Sequence, residues 1–506
     1  AEDGIRDRDV TVQTCALPIS KLRRTHYIGT VGDILGWDEQ VNLPPDSGDQ
    51  RAAQHSVMAE LHHAAVTDPA IGALLTTLEA GTLGADERTV VKEARRDYDR
   101  ATRLPADFVK EKAEHGSRSY HAWADARAKD DFPAFAPFLE KHLVLAKREA
   151  AYLGHGATPY DYYIDQFDPG MTAERITALF SELKTGLVPL VRRIAASPVK
   201  ARRDLLKGCP VAAQEVFLKE VTAKLGFDYR RGRIDVAVHP FCSGTGSDTR
   251  MTTRYDPDDP LKALLGAIHE TGHGLYEQGL PREHAGTALA QNAGMGVHES
   301  QSRLWENQVG RGRPFWKFFE PRFRELFPTA MAKVSSEELY LAINAVRPTL
   351  IRVDADEVTY NLHIILRFEL EQRLFRGDLA VAGLPAAWRE SSRELLGLEP
   401  RNDKEGVLQD VHWSGGAFGY FPSYCLGNML ASQLWYHALG LLPGLEDDFA
   451  RGDFARLLGW LRTEVHARGR RLGLLELTRA VTGEELTPKY LLRYLSERYA
   501  GLYGVA

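Results

Sequence analysis

Two histidines and a glutamate in the segment HETGH, residues 269–273, have the spacing of a hydrolytic metal site. On a helix, His269 and His273 lie one turn apart on the same face, so their two imidazoles can bind one metal ion. Glu270, beside the first histidine, can accept a proton from a water molecule that the metal activates. The alternative is a pair of surface histidines on a charged helix, and the motif alone is a hypothesis.

The residues around this motif argue against a surface helix. Leu264, Leu265 and Ile268 make the helix apolar. Gly272 and Gly274 each cost the helix roughly 1 kcal/mol in propensity. Small residues beside two histidines therefore indicate a close backbone approach or space for a ligand.

A metal ion that activates water needs a third protein ligand and an open fourth position. The segment MGVHESQSRLWEN, about one helix further along the chain, offers His298 and Glu299. Glu299 follows His273 by 26 positions, which suits a ligand from the next helix. Spacing alone does not choose between the two neighbours.

The elements that must position these residues are mostly helices. From Lys21 to about Gly154, apolar residues recur three and four positions apart among dense charge, which predicts helices with a solvated face. Leu43–Gly48 and Phe167–Thr172 are predicted loops. The sequence contains neither a repeat nor a low-complexity linker, which favours one large helical body.

One stretch has the pattern of strands. Arg233–Phe241 and Thr249–Tyr255 alternate in polarity and flank the loop CSGTGSD, which predicts a small β-hairpin. An isolated hairpin is marginally stable, so it must pack on helices. The HETGH helix should begin directly afterwards, with Asp258 or Asp259 as its cap and Pro260 in its first turn.

Composition excludes several classes of protein. The 506 residues are 44% apolar and carry a net charge of −6, which argues against a mainly disordered chain and against a nucleic-acid-binding surface. The longest uncharged stretch, Val411–Leu445, contains polar residues and six glycines, so we predict a buried core or pocket wall and no membrane span. Four cysteines lie far apart without a CxxC pair, which predicts free thiols and a cytoplasmic location.

The sequence resembles the thermostable metallocarboxypeptidase family typified by carboxypeptidase Taq, from about Leu35 to the C-terminus. Besides HETGH, the shared motifs in chain order are LGWDEQVNLPP (Leu35–Pro45), PYDYYIDQFDPGMT (Pro159–Thr172), HPF (His239–Phe241), DTRMT (Asp248–Thr252), HESQ (His298–Gln301), IRVDAD (Ile351–Asp356) and GVLQDVHW (Gly406–Trp413). The resemblance implies a mainly α, saddle-like fold with a deep groove. It also implies a homodimer.

The resemblance also implies a set of site residues. Glu299 becomes the third metal ligand beside His269 and His273, and His298 becomes a pocket residue. Glu270 is the general base. Zinc is the expected ion, although cobalt also suits a site of two histidines and a glutamate.

Further residues are assigned to substrate binding and catalysis. A carboxypeptidase must bind a substrate carboxylate, for which the arginine fork is suited. With the resemblance we favour Arg352 as this anchor and Arg250 as a wall that shortens the groove, although each could instead pair with a nearby aspartate. His239 is expected to shape the groove. His412 and Tyr420 are candidate donors to the transition-state oxyanion, or else hydrogen-bonded core residues.

The predicted function is zinc-dependent removal of C-terminal residues, with broad specificity, from peptides that have a free C-terminus. The nearest alternative is a zinc endopeptidase or oligopeptidase of related fold. The other is a non-catalytic scaffold stabilised by zinc. Neither a nucleic acid nor a membrane is expected as a partner.

Residues 1–20 are considered separately. They lack an apolar period and a signal-peptide core, and they resemble translated sequencing-adapter read-through. We interpret them as a non-native or disordered segment that replaces the original start. Residues 21–506 are then the metallocarboxypeptidase catalytic domain.

Overall fold

The computed structural model describes residues 3–202 and 205–505 of the chain, and it describes side chains in the first helix from residue 19 onward. Most of the segment 1–20, interpreted above as non-native or disordered, therefore lies outside the described side chains. That interpretation stays a prediction.

The described chain is mainly helical, as predicted, with one small sheet. The first eleven helices are α1 Asp3–Val41, α2 Gly48–Val66, α3 Pro69–Glu79, α4 Ala85–Thr102, α5 Ala106–Lys129, α6 Phe132–Leu153, α7 Pro159–Phe167, α8 Ala173–Ala196, α9 Val211–Leu225, α10 Pro260–Gly279 and α11 Met295–Arg303. The later helices are α12 Arg313–Leu326, α13 Pro328–Met331, α14 Ser336–Ile343, α15 Tyr360–Arg376, α16 Leu384–Leu396, α17 Phe421–Leu441, α18 Leu445–Ala450, α19 Ala455–Glu464, α20 Leu474–Thr482, α21 Lys489–Leu495 and α22 Gly501–Tyr503. The strands are β1 Gly232–Val236, β2 Cys242–Thr245 and β3 Asp248–Thr253.

The described residues divide into two compact units, each built from three separate stretches of chain. Unit 1 contains Ala1–Arg103, Gly208–Ala293 and Leu445–Leu472. Unit 2 contains Leu104–Lys207, Gly294–Gly444 and Gly473–Ala506. The sheet and α10 belong to unit 1, whereas α11, α15 and α17 belong to unit 2.

The sheet contains a β-hairpin of β2 and β3, but the hairpin predicted between Arg233–Phe241 and Thr249–Tyr255 is not formed, because β1, from the first of these stretches, pairs parallel with β3. β3 pairs antiparallel with β2, which lies within the stretch predicted as a loop, and pairs parallel with β1. The reason is Gly244, whose φ is +94°. A Cβ there would lie 2.0 Å from the carbonyl oxygen of Asp248, so only glycine permits this tight return of the chain.

Unit 2 has its own buried centre, where α17 packs against α11 and α15. Most residues of α17 are buried, which confirms the predicted core role for much of Val411–Leu445. Among the described residues, no helix combines the length and the apolar character needed to cross a membrane.

Candidate active site

The HETGH motif lies on α10 in unit 1. The helix begins as predicted, because the Asp259 side chain accepts a hydrogen bond from the Lys262 backbone and Pro260 occupies the first turn. The ring centroids of His269 and His273 are 4.8 Å apart, at an interplanar angle of 84°. Their ligand nitrogens lie within 4.8 Å of each other. This geometry lets both imidazoles bind one ion, as the spacing predicted.

The packing of α10 on the sheet explains one of the glycines in the motif helix. A Cβ on Gly274 would lie 2.8 Å from the Phe227 ring and 3.4 Å from the Met251 sulfur. Met251 is completely buried in β3. The close backbone approach inferred from the sequence is therefore present, and it holds the histidine-bearing helix against the sheet.

Glu270 is buried, with 6% of its surface exposed. Its environment includes Cys242 on β2, whose thiol pKa is raised by burial and by the carboxylates of Glu270 and Glu277. The three cysteines among the described residues are free, which confirms the expected free thiols. The sequence offered no sign that one of them lies close to the proposed base.

Glu299 lies on α11 in unit 2 and is 4% exposed. Its Oε1 accepts a hydrogen bond of 2.6 Å from Arg303 Nε, and its Oε2 accepts one of 3.0 Å from Ser302 Oγ. The neighbouring His298 is half-buried. Glu299 is thus a buried carboxylate with an oriented side chain, which is what a metal ligand requires.

Gly427 on α17 allows Glu299 to lie where it does. A Cβ on Gly427 would be 2.6 Å from Cγ and 2.7 Å from Cβ of Glu299, which is shorter than carbon atoms tolerate. Only glycine at this position lets α17 pack so closely on α11. The sequence contains the glycine, but nothing in it indicates that this glycine packs against Glu299.

Asp168 fixes the start of α11, and the sequence did not single it out. Its Oδ1 accepts a hydrogen bond of 2.7 Å from the Gly296 backbone, and its Oδ2 accepts one of 2.6 Å from Ser423 Oγ. Burial raises the pKa of Asp168 to about 6. One carboxylate thereby joins the end of α7, the first turn of α11 and the first turn of α17. The only signal was its place in the segment FDPGMT.

Arg352 lies in a buried charge cluster of unit 2. Its Nε donates to Asp410 Oδ1 over 2.9 Å, and its Nη1 donates to the Tyr360 hydroxyl over 3.2 Å. Arg367 also binds Asp410, over 2.7 Å. Although burial raises the pKa of Asp410, the two guanidinium groups hold it well below its usual range. The sequence left open a pairing with a nearby aspartate such as Asp354 or Asp356, whereas the partner is Asp410, 58 positions further along the chain.

His412 and Tyr420 lie in the same unit and contact each other. Their ring centroids are 5.5 Å apart, and Tyr420 contacts Tyr424 at 5.2 Å. Burial lowers the pKa of His412 to about 4 and raises that of Tyr420. Both side chains are therefore neutral near pH 7 and can donate hydrogen bonds. The nearby charges that act on Tyr420 include Glu299 and Arg352.

Glu371 supports the loop that carries these two residues, and the sequence missed it. It is fully buried and accepts hydrogen bonds from Tyr160 Oη (2.6 Å), Trp413 Nε1 (2.7 Å) and the Gly419 backbone (2.9 Å). Burial raises its pKa to about 7. Its three partners are distant in sequence, so nothing short of the tertiary structure links them.

Arg250 and His239 lie in or beside the sheet of unit 1. Arg250 donates two hydrogen bonds, of 3.0 and 2.9 Å, to the carboxylate of Asp248, and its guanidinium stacks 4.2 Å from the Trp37 ring centroid. His239 is exposed, and its backbone oxygen accepts a hydrogen bond from Thr252. The substrate roles predicted for both residues stay predictions.

Comparison with known proteins places this arrangement in a family. A family model described as carboxypeptidase Taq (M32) metallopeptidase matches residues 19–499. The chain belongs to this family. It is 43% identical to thermostable carboxypeptidase 1 of Thermus thermophilus over 497 residues, covering 95% of this chain and 97% of the relative. It is 38% identical to carboxypeptidase 1 of Bacillus subtilis over 485 residues, with the same coverage.

Solved structures agree with the family assignment. The M32 carboxypeptidase of Deinococcus radiodurans R1 has a TM-score of 0.95 and 43% identity, covering 97% of this chain and 100% of that chain. Metallocarboxypeptidase 1 of Trypanosoma cruzi has a TM-score of 0.92 and 34% identity, covering 96% and 99%. The predicted resemblance is confirmed, and the chain is a metallocarboxypeptidase that uses a divalent metal.

Proposed function

We propose that the chain is a zinc-dependent carboxypeptidase of broad specificity, in which His269, His273 and Glu299 bind the ion. The observation that carries this proposal is the pair of imidazoles on one face of α10, directly beside a buried glutamate. Two nitrogen ligands and one carboxylate oxygen suit zinc, and cobalt as well. A structural zinc site would have no use for the glutamate that accompanies the histidines.

A divalent ion held by these three residues would polarise the scissile carbonyl and make water more acidic. Glu270 accepts the proton of the attacking water and delivers it to the leaving amine. The second half of this role requires the same carboxyl group to release its proton within each cycle.

Arg352 anchors the substrate carboxylate in this proposal. Within the described residues, its bonds to Asp410 and Tyr360 use two of its five N–H groups, so others can serve the substrate. His412 and Tyr420 donate hydrogen bonds to the oxyanion, for which their neutral forms are suited. Arg250, His239 and His298 shape the groove in the same proposal.

We further propose that residues 21–506 form one catalytic domain, that it assembles as a homodimer and that it acts in the cytoplasm. The family resemblance supports the domain and the dimer. The free cysteines are consistent with a reducing compartment. Sedimentation of the purified chain tests the dimer.

The direction of cleavage tests the function. Incubation of zinc-loaded protein with a defined peptide, followed by mass spectrometry, should show stepwise loss of C-terminal residues. The matched control is the same peptide with an amidated C-terminus, which should be cleaved far more slowly because the Arg352 anchor has lost its partner. Equal cleavage of both peptides, or internal fragments, would support the endopeptidase alternative.

A further inference from the structure

The carboxylate of Glu299 is the first member of a chain of four alternating charges in unit 2. Arg303 donates to Glu299 through Nε, over 2.6 Å, and to Glu306 Oε2 through Nη1, over 3.2 Å. Arg311 Nη2 in turn donates to Glu306 Oε1 over 2.8 Å. The four charges sum to zero, so each carboxylate is compensated although both glutamates are buried.

A π-helical turn, Leu304–Gly310, permits the last link of this chain of charges, between Glu306 and Arg311. Glu306 and Arg311 are five positions apart, and the Arg311 backbone N–H binds the Glu306 carbonyl over 3.1 Å. In an α-helix these two side chains would point in different directions, whereas the wider turn aligns them. All seven residues of the turn are buried.

The π-helical turn is also fixed by Arg498, which lies outside it. Arg498 donates to the carbonyl oxygens of Asn307, over 2.7 Å, and of Gln308, over 3.3 Å. The guanidinium of Arg303 also stacks on Tyr360, 4.6 Å from the ring centroid. Arg303 is therefore fixed on several sides, and its position does not depend on Glu299 alone.

A free glutamate can rotate its carboxylate and must lose that freedom when it binds an ion. Here Arg303 donates to Oε1 and Ser302 donates to Oε2, so the plane of the carboxylate is set in advance. We propose that Arg303, supported by Glu306 and the π-helical turn, is a positioning residue that pre-orients Glu299 and raises the affinity of the site for its metal. This inference rests on the proposed function, in which Glu299 is a ligand.

Electrostatics alone would predict the opposite result. Arg303 carries a positive charge next to a carboxylate that would bind a cation, so its removal would relieve repulsion and tighten metal binding. Arg303, Glu306 and Arg311 together leave one positive charge behind Glu299, and we expect the pre-set orientation of the carboxylate to outweigh this repulsion. The sign of the change in affinity therefore distinguishes the two effects.

The test is the Zn²⁺ dissociation constant, measured by competition with a chromophoric chelator. We expect Arg303→Met to raise this constant about 10- to 100-fold, the usual effect of losing a partner that orients a ligand. Arg303→Lys, which keeps the charge but not the planar fork, should raise it less. The control is Arg313→Met, because Arg313 makes an ion pair of similar length with Glu337 on the surface of the same unit.

The possible outcomes separate the inference from the proposed function. The positioning role would be overturned if the Zn²⁺ dissociation constant of Arg303→Met is unchanged or smaller while that of Glu299→Gln is raised. An unchanged constant in Glu299→Gln would instead overturn the proposed ligand set. If Arg303→Met does not fold, the test uses Arg303→Lys instead. A Zn²⁺ dissociation constant equal to that of the wild type in Arg303→Lys overturns the inference.

Discussion

At the scale of single residues, the buried carboxylate beside the two histidines has the sharpest expected role. Replacing Glu270 by Gln keeps the size of the side chain but removes the proton acceptor. We expect the turnover of a peptide substrate to fall by about 10²- to 10⁴-fold, the usual contribution of a general base. Zinc content, measured by atomic absorption, should be unchanged.

The control for this variant is Glu283→Gln, at an exposed position just after the same helix. It should retain wild-type turnover. Undiminished hydrolysis by Glu270→Gln, in a preparation free of other peptidases, would rule out Glu270 as the base.

Glu371 gives a prediction about the pH dependence of stability. Its folded-state pKa is raised to about 7, above the ordinary value of 4.5, because it is buried. The folded state therefore retains a proton that the unfolded chain has already lost. The stabilisation from this group is complete at low pH and is lost as the pH rises through 7.

We therefore expect the free energy of unfolding of the wild type to fall between pH 5 and pH 8 by more than that of Glu371→Gln. The difference should be on the order of 3 kcal/mol. Urea unfolding of both proteins at the two pH values measures it, and the other titrating groups cancel in the comparison. Parallel pH dependences in the two proteins would show that Glu371 is ionised in the fold at both pH values.

At the scale of elements, short-range sequence patterns predicted those features that neighbouring residues determine. They failed where a feature depends on contacts between residues distant in sequence. The start of α10 could be predicted because a capping aspartate and a first-turn proline act within four residues. β2 could not, because the pattern of Cys242–Thr245 resembles a loop and its pairing depends on the close approach of Asp248 to Gly244. Likewise Asp168 acts on α11 from 128 positions away.

The contact between α11 and α17 gives a prediction that compares two glycines of one helix. In Gly427→Ala the new methyl group would overlap Glu299, so α17 must move away from α11. We expect a loss of about 1–3 kcal/mol in unfolding free energy, the usual cost of overpacking, together with weaker zinc binding.

Gly440→Ala is the matched control, because a Cβ there meets no atom within 4 Å among the described residues. It should be neutral or should stabilise the protein by up to about 1 kcal/mol, since alanine favours helix over glycine. Thermal unfolding and chelator competition measure both effects. Equal behaviour of the two variants would show that the contact at Gly427 does not constrain Glu299.

At the scale of the whole molecule, the sequence predicted the family but gave no sign of the division into two compact units. The motifs HETGH and HESQ are recognisable along the chain, although one lies in unit 1 and the other in unit 2. The unit boundaries were not recognisable, because the chain passes between units several times through short segments without the composition of a linker. Flexible linkers between domains can be recognised from their amino-acid composition, whereas ordinary loops that join compact units have no distinctive composition.

Metal removal tests the molecule as a whole. Unit 1 has a buried apolar cluster of Ile71, Leu75, Leu78, Val91 and Ala94, and unit 2 has the buried helix α17. We therefore expect the protein to keep its far-ultraviolet circular dichroism after chelation while peptide hydrolysis stops. Added zinc should restore activity and raise stability by about 2.7 kcal/mol at a free concentration of 100 times the dissociation constant. A zinc-stabilised scaffold predicts a different result, because loss of the metal would remove the fold together with the site. A helical, inactive and reactivatable apoprotein would therefore support the enzyme, and irreversible loss of helicity on chelation would support the scaffold.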